Sequence, residues 1–589
     1  MHYPQISADK AQKLWTQTFT GLDRRPRTSD GAFLAMGNMT GEPWPLLSSR
    51  KKRGVVAEIQ QPLGMKAMEE LAWIDGSTLY YHREATPINN LSLDADMLPK
   101  QMVSMGAYQL IFPDGAYYNT ANPMDYGNLN RMYQSPAGGT VSYTLCDLDG
   151  TAYTGWTLGD TAPANPQDGA LWMDSSGGAD VLKVYGDGEW TAVTTVYVKI
   201  SAPGIGAGIA DGDSVTVSGV EYGGQEEATR EQYQLLNSTH IIQRAEENAL
   251  VVIGIIDRVY TQTGRIRADR KSPRMDFVIE CNNRLWGCRH GMQDGEMVNE
   301  IYASALGDFK NWKKFDGTTQ DSYAVGVGSD GPFTAAVCSK NRPYFFKEKC
   351  VHMIYGDRPS NFSMQTSDVD GPQEGSGATL AQWNGNMLYL SRHGMQIFDG
   401  MAAPNGEALG DGQMTGGAAG VSDNTYFLSV EEFDGSSLYT LDCKRGRWMR
   451  QDDSAAVAFA ELRGEMYMLC KNGMLYALRG KAGTPEDGPV TWYAETAEIG
   501  YEYSNRQYLR RFLLKMELDR DAFCRLMIQY DGDGIWHDKG VMQGRGGVKT
   551  YLIPIVPRRC EHCRVRIEGQ GSMRLFGVSR EMALGGDGR

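Results

Sequence analysis

The stretch DFVIECNNRLWGCRHGMQDGEMVNEIYASALGDFKNWKKF, residues 276–315, decides the fold. It opens on a short apolar strand, Phe277 to Glu280, and turns at Cys281-Asn282-Asn283. A second strand returns through Leu285, Trp286 and Cys288. After a polar excursion, a third strand from Glu300 to Ser304 runs into Gly307-Asp308, and Trp312 to Phe315 supply a fourth. Four short strands joined by tight turns within about forty residues have the size of one β-propeller blade.

Working outward, the same unit recurs. Leu71 to His82 reads as strand, Asp75-Gly76 turn, strand, and Met105 to Thr120 repeats it around Asp114-Gly115. Asp-Gly between apolar runs is a strong hairpin signal, because type I′ turns need positive φ at both central positions. Four further units follow: Phe333 to Asp357, Thr379 to Gly400 with its Asn384-Gly385 turn, Gly420 to Gln451, and Ala458 to Gly480. With the opening stretch they make about seven blades, over residues 61–135 and 264–484. Between them, 136–263 has a different rhythm, with Trp156, Trp172 and Trp190 as candidate core anchors and a hairpin turning near Glu246-Glu247-Asn248. It reads as a β domain inserted at a surface loop. From 485 to 589 the alternation is strict: Phe512, Leu514, Met516 and Leu518 on one side, then Cys524, Leu526, Ile528 and Tyr530, then Cys563, Val565 and Ile567. Half-buried antiparallel strands give this pattern, and it predicts a C-terminal β-sandwich. The expected fold class is all-β.

Residues 1–60 read as an extended N-terminal arm. Ser7 to Phe19 suits one short amphipathic helix, after which Pro26, Pro43 and Pro45 break regular structure. Two basic clusters stand out there, Arg24-Arg25-Arg27 and Arg50-Lys51-Lys52-Arg53. They are read as solvated charge or as assembly contacts against an acidic neighbour. The arm is expected to serve assembly more than folding.

The chain has 589 residues and a net charge of −14, which disfavours tight nucleic-acid binding, since phosphate contacts depend on Lys and Arg clusters. Its 70 glycines, 30 tyrosines and 12 tryptophans suit many short strands and tight turns. No run of 18 apolar residues occurs, so no membrane span is expected, and the N-terminus carries no apolar core of signal-peptide type. The ten cysteines are scattered, mostly in apolar strands, and read as small buried hydrophobes in a reducing compartment.

Motifs with chemical potential resolve into structure. Cys560-Glu-His-Cys563 is a single C-x-x-C with no second pair at zinc-site spacing. Asp531-Gly-Asp533-Gly lacks the later ligands of a calcium loop and reads as a turn, as does Asp211-Gly-Asp213. Gly204-Ile-Gly206-Ala-Gly208 precedes a strand, without the helix that would hold a phosphate. The eight histidines fall in no H-E-x-x-H, and no G-x-S-x-G occurs. No catalytic residue, cofactor or metal is expected.

Three segments together, SALGDFKNW, GNMTGEPWPLLSSRKKRG and IPIVPRRCEHCRVRIEGQGSMRLFGVSRE, carry a resemblance. The chain resembles virion proteins encoded by phages and prophages of Gram-positive gut bacteria. More distantly, and only in the blade units, it resembles propeller-bearing tail stabilisation and nozzle proteins of short-tailed phages. The resemblance implies a non-enzymatic component of a virion tail or neck, assembled in the host bacterial cytoplasm. It also implies a homo-oligomeric ring, a hexamer first among the options, beside a portal or adaptor, with DNA passing through the lumen without tight binding. The alternative from another class is a carbohydrate-binding or carbohydrate-cleaving tail protein for host-surface recognition.

Overall fold

The computed structural model describes residues 12–584 except 26–27, 82–85, 294, 316, 411, 481–484 and 501–505. Among these residues the chain is all-β, with antiparallel pairing dominant and a single α-helix, Glu227–Leu235. It divides into two compact units. One comprises Met1–Met102, Ser329–Met353 and Gln365–Arg589, the other Val103–Gly328 and Ile354–Met364.

Seven of the sheets are four-stranded meanders of the predicted kind. Their strands run in sequence order across 62–92, 101–128, 277–326, 333–368, 381–404 and 415–450. The seventh is made of Ala456–Leu462, Glu465–Cys470 and Met474–Ala477, and takes its fourth strand, Gly54–Glu58, from the far end of the chain. The hairpins that open several of these sheets turn through left-handed backbone: Asn282 and Asn283 at φ 55° and 57°, Lys340 and Asn341 at 50° and 58°, Asn384 at 48°. Asn tolerates this region better than most residues, which is why these dipeptides mark turns in the sequence.

In the first unit, consecutive sheets pack through large side chains. Phe346 meets Tyr389 and Phe398 at 5.5 and 5.7 Å, and Phe427 stacks on Phe459 at 6.2 Å. Leu462, Tyr467 and Leu469 share a core with Met65, Leu71 and Trp73. Neighbouring sheets approach most closely at their first strands, and small residues fill that position, as in Ala418, Ala419 and Gly420 against Ala456, Ala458 and Ala460. A Cβ on Gly420 would stand 2.5 Å from Phe459 Cβ.

The opening stretch differs from expectation in two places. The polar excursion is itself strand: Leu285–Gln293 and Glu296–Ala303 pair continuously as one long hairpin. The fourth strand is Tyr323–Gly326, not 312–315. Trp312 is instead a core residue outside any strand, packed with Phe309, Tyr117 and Leu129 in the second unit.

Residues 131–270 of the second unit form their own sheets around a separate core. Arg131–Gln134 pairs with Arg267–Arg270, so the ends of the excursion lie side by side, a few residues outside the expected 136–263. Tyr143, Tyr233, Val198 and Ile200 are sealed in this core. Of the expected anchors, Trp172 is buried, while Trp156 and Trp190 are only half-buried.

The strands from Thr491 to Leu584 lie in two sheets that share one core. Phe512, Leu514 and Met516 come from one sheet, and Cys524, Leu526, Val565 and Ile567 from the other. The N-terminal residues are part of these sheets. Gln12–Thr16 is a strand paired with Met573–Leu584, in place of the helix expected there; residues 7–11 of that helix lie outside the described residues. Ala32–Gly37 pairs with Thr491–Thr496, and Leu47–Ser49 with Met573–Leu584. The expected arm is therefore woven strand by strand into sheets built from the opposite end of the chain.

Eight cysteines are free thiols, while Cys281 and Cys338 are disulfide-bonded. The reading of all ten as reduced core residues is corrected accordingly.

Candidate functional site

A polar cleft of the first unit has a volume of about 440 Å³. Its floor comes from Thr425–Glu432 and Gly435–Asp442, which contribute Phe427 and Thr440. One rim is the turn 442–447 with Arg445 and Arg447, another the hairpin turn at Asp423-Asn424, and the third the segment 40–51 with Glu42 and Lys51. Arg479 closes it from the end of the seventh meander.

Its charges are unevenly partnered. Arg479 Nη1 meets Asp423 Oδ2 at 2.8 Å, and Arg445 Nη1 meets Asp442 Oδ2 at 2.8 Å. Arg447 and Lys51 make no ion pair among the described residues. The Arg447 guanidinium lies on the Trp44 ring, 3.1 Å from its centroid, with Arg445 at 5.6 Å from the same ring. Such stacking fixes a planar guanidinium with its donor edge free. Burial lowers the pKa of Arg447, Asp442 and Arg445 acting in opposite senses after it.

The two N-terminal basic clusters are placed as follows. Arg24 Nη1 pairs with Glu432 Oε1 at 2.8 Å; burial works against its charge, but Tyr439 and the Glu432 bond outweigh it and raise its pKa. Arg25 pairs with Asp23 at 2.7 Å and Glu407 at 3.4 Å. Arg27 lies outside the described residues. Arg50 meets Asp487 at 2.8 Å, and Arg53, 3% exposed, meets Asp452 at 2.8 Å. Lys52 faces Glu486 at 3.2 Å. Arg50 and Arg53 are brought together around Asp452, whereas Arg24 and Arg25 pair with a different set of carboxylates. Most of this charge is thus matched within the chain, and of the described members only Lys51 faces the cleft unpaired.

The remaining motifs hold structure. Cys560 and Cys563 are both 1% exposed, Cys560 Sγ donates to Gln507 O at 3.6 Å, and the influence of each thiol on the other lowers the first and raises the second. His562 is turned toward Glu498 at 3.5 Å. Asp531 caps a turn by accepting from the Glu561 and His562 amides. Gly206 is required by crowding, since a Cβ there would lie 1.9 Å from Glu246 O. Asp213 forms an ion pair with Arg270, both nearly sealed from solvent. Among the described residues no three His, Cys, Asp or Glu side chains converge as a metal site, and no helix is long and apolar enough to cross a membrane.

Sequence reading missed Trp44, Arg445, Arg447 and Arg479. The available signals were the runs Glu42-Pro-Trp-Pro45 and Lys444-Arg-Gly-Arg-Trp448, two dense polar-aromatic patches with no sequence hint that they meet.

No protein-family model matches the chain, and no curated protein does. Among solved structures, BamB from Moraxella catarrhalis is similar over 73% of this chain and 96% of its own, at 9% identity and a TM-score of 0.32. The computationally designed Ika8 protein aligns over 72% and 98%, at 10% identity and a TM-score of 0.30. An exo-β-1,3-galactanase from Phanerochaete chrysosporium aligns over 51% and 94%, at 10% identity and a TM-score of 0.20. Likeness at this distance bears on neither activity nor partners.

Proposed function

We propose that the seven meanders are the blades of one β-propeller, completed by Gly54–Glu58, with 131–270 as an inserted β domain and the two-sheet C-terminal region as a β-sandwich. Close approach at the first strands and the small residues there support a radial arrangement, because blades crowd toward their axis. On this architecture we read the chain as a non-enzymatic structural component of a phage virion tail or neck. It assembles with copies of itself into a ring, beside portal or adaptor proteins, and shapes a passage for DNA.

The observation that carries the assembly reading is the long hairpin of the second unit. Its ladder neighbours pair with 285–288 and 300–303, so residues 290–293 and 295–298 run past the four-stranded part of the sheet. On the projection Met292 stands directly opposite Met297, and both are exposed, at 60% and 62%. Paired, adaptable apolar side chains on a projecting hairpin suit a protein–protein contact and are a liability for a solitary molecule. Native mass spectrometry tests this: the wild type is expected as a closed oligomer, and Met292→Asp with Met297→Asp as a smaller species with unchanged melting. A wild-type monomer at micromolar concentration would refute the ring. The carbohydrate-binding alternative is favoured by one feature, the cleft beside Trp44.

A further inference from the structure

The cleft of the first unit has the charge and lining of a ligand site. Four cations face it, Lys51, Arg445, Arg447 and Arg479, against three carboxylates, Glu42, Asp423 and Asp442. Two of the cations are neutralised by the ion pairs to Asp423 and Asp442. What remains is one positive charge in excess, centred on a guanidinium that Trp44 holds flat. A guanidinium fork matches a carboxylate in bidentate geometry. An excess of one charge suits a single carboxylate better than a doubly charged phosphate.

The rest of the lining is suited to hydroxyl groups. Thr40, Thr425, Thr440, Asn424 and Gln451 offer hydroxyls and amides, while Phe427 and Met449 supply an apolar wall. A volume of about 440 Å³ lies in the range of small-molecule sites and accommodates one or two sugar rings.

We propose that this cleft binds a small polyhydroxylated molecule bearing one carboxylate, that is, a uronic acid, either free or as the acidic unit of a polysaccharide. Arg447 holds the carboxylate, Lys51 adds to the field, and Trp44 fixes Arg447 rather than touching the ligand. Binding here does not depend on ring formation, so the oligomeric state and the ligand test fail or succeed separately.

Titration calorimetry of the full-length protein with sodium D-glucuronate is the test, with D-glucose and inorganic phosphate as controls. The expected result is saturable glucuronate binding at about millimolar Kd or tighter, none with glucose, and weaker binding of phosphate. Arg447→Ala should weaken glucuronate by about tenfold or more. Arg447→Lys should recover only part of the loss, because a point charge lacks the fork. Lys51→Ala changes an exposed side chain, so it keeps the test decisive if the Arg447 variants misfold; a loss of a few fold is expected. A glucuronate-containing tetrasaccharide that binds more tightly than the monomer identifies a polysaccharide as the source; equal affinity identifies the free acid. No glucuronate binding by the wild type overturns the proposal. Binding unchanged in folded Arg447→Ala and Lys51→Ala, or phosphate bound more tightly than glucuronate, overturns it as well.

Discussion

Asp213 and Arg270 show how much one buried pair can hold. Their side chains are 4% and 5% exposed, and Arg270 also donates to Leu129 O at 3.0 Å while Asp213 accepts from Ala210 N at 3.0 Å. Removing one partner leaves an uncompensated charge, so Asp213→Asn is expected to cost about 3–5 kcal/mol in urea unfolding. His352 makes a second case. It is 1% exposed and hydrogen-bonded to Ser329 Oγ and Thr366 Oγ1, each at 2.8 Å. Burial, and then Lys347, push its pKa down to about 4. The unfolded chain has a histidine near 6.5, so the folded state holds this ring neutral while the unfolded state takes up a proton. The stabilisation is complete above about pH 6.5 and is lost as the pH falls toward about 4, a change of about 3 kcal/mol. His352→Gln is expected to flatten that part of the stability–pH curve, measured by denaturant midpoint at each pH.

Elements were legible where local pattern determined them. Alternation through Phe512, Leu514 and Met516, and turn dipeptides such as Asn384-Gly385, were enough to place strands and hairpins. The hairpin residues 290–293 and 295–298 escaped because their mixed exposed and half-buried side chains show no clean alternation, so Gly291 and Gln293 read as loop. The N-terminal strands escaped for another reason. Leu47–Ser49 and Gly54–Glu58 are short, and their partners lie hundreds of residues away, which leaves no local signature. The cleft was hidden in the same way, since its lining joins residues 40–51 to residues 423–451 and Arg479. This pairing changes what the first sixty residues are expected to do. They supply strands to three sheets, so deleting 1–60 should abolish cooperative melting by circular dichroism rather than merely weaken association. A shortened protein with wild-type melting would show that these pairings contribute little.

For the whole molecule, charge sets the expectation about DNA. The chain carries 72 acidic against 58 basic residues, and most of the described basic residues in the N-terminal clusters are matched by internal carboxylates. Each phosphate neutralised by Lys or Arg adds salt-dependent affinity, so a passage should avoid such contacts. Duplex binding is expected to be negligible at physiological salt, where non-specific binders reach about 10⁻⁴ to 10⁻⁶ M. Micromolar affinity with a steep salt slope in a filter or anisotropy assay would end the conduit reading. The strand Gly54–Glu58 has a different consequence, in time rather than in space. It leaves the ribosome early, yet its partner Met474–Ala477 is made about four hundred residues later. At ordinary elongation rates that is a wait of roughly 20 to 80 s, during which the strand's edge is open to chaperones or to other nascent chains. A ribosome that stalls before Met474 releases a chain whose last sheet can never be completed, so only polypeptides translated past that point can close it.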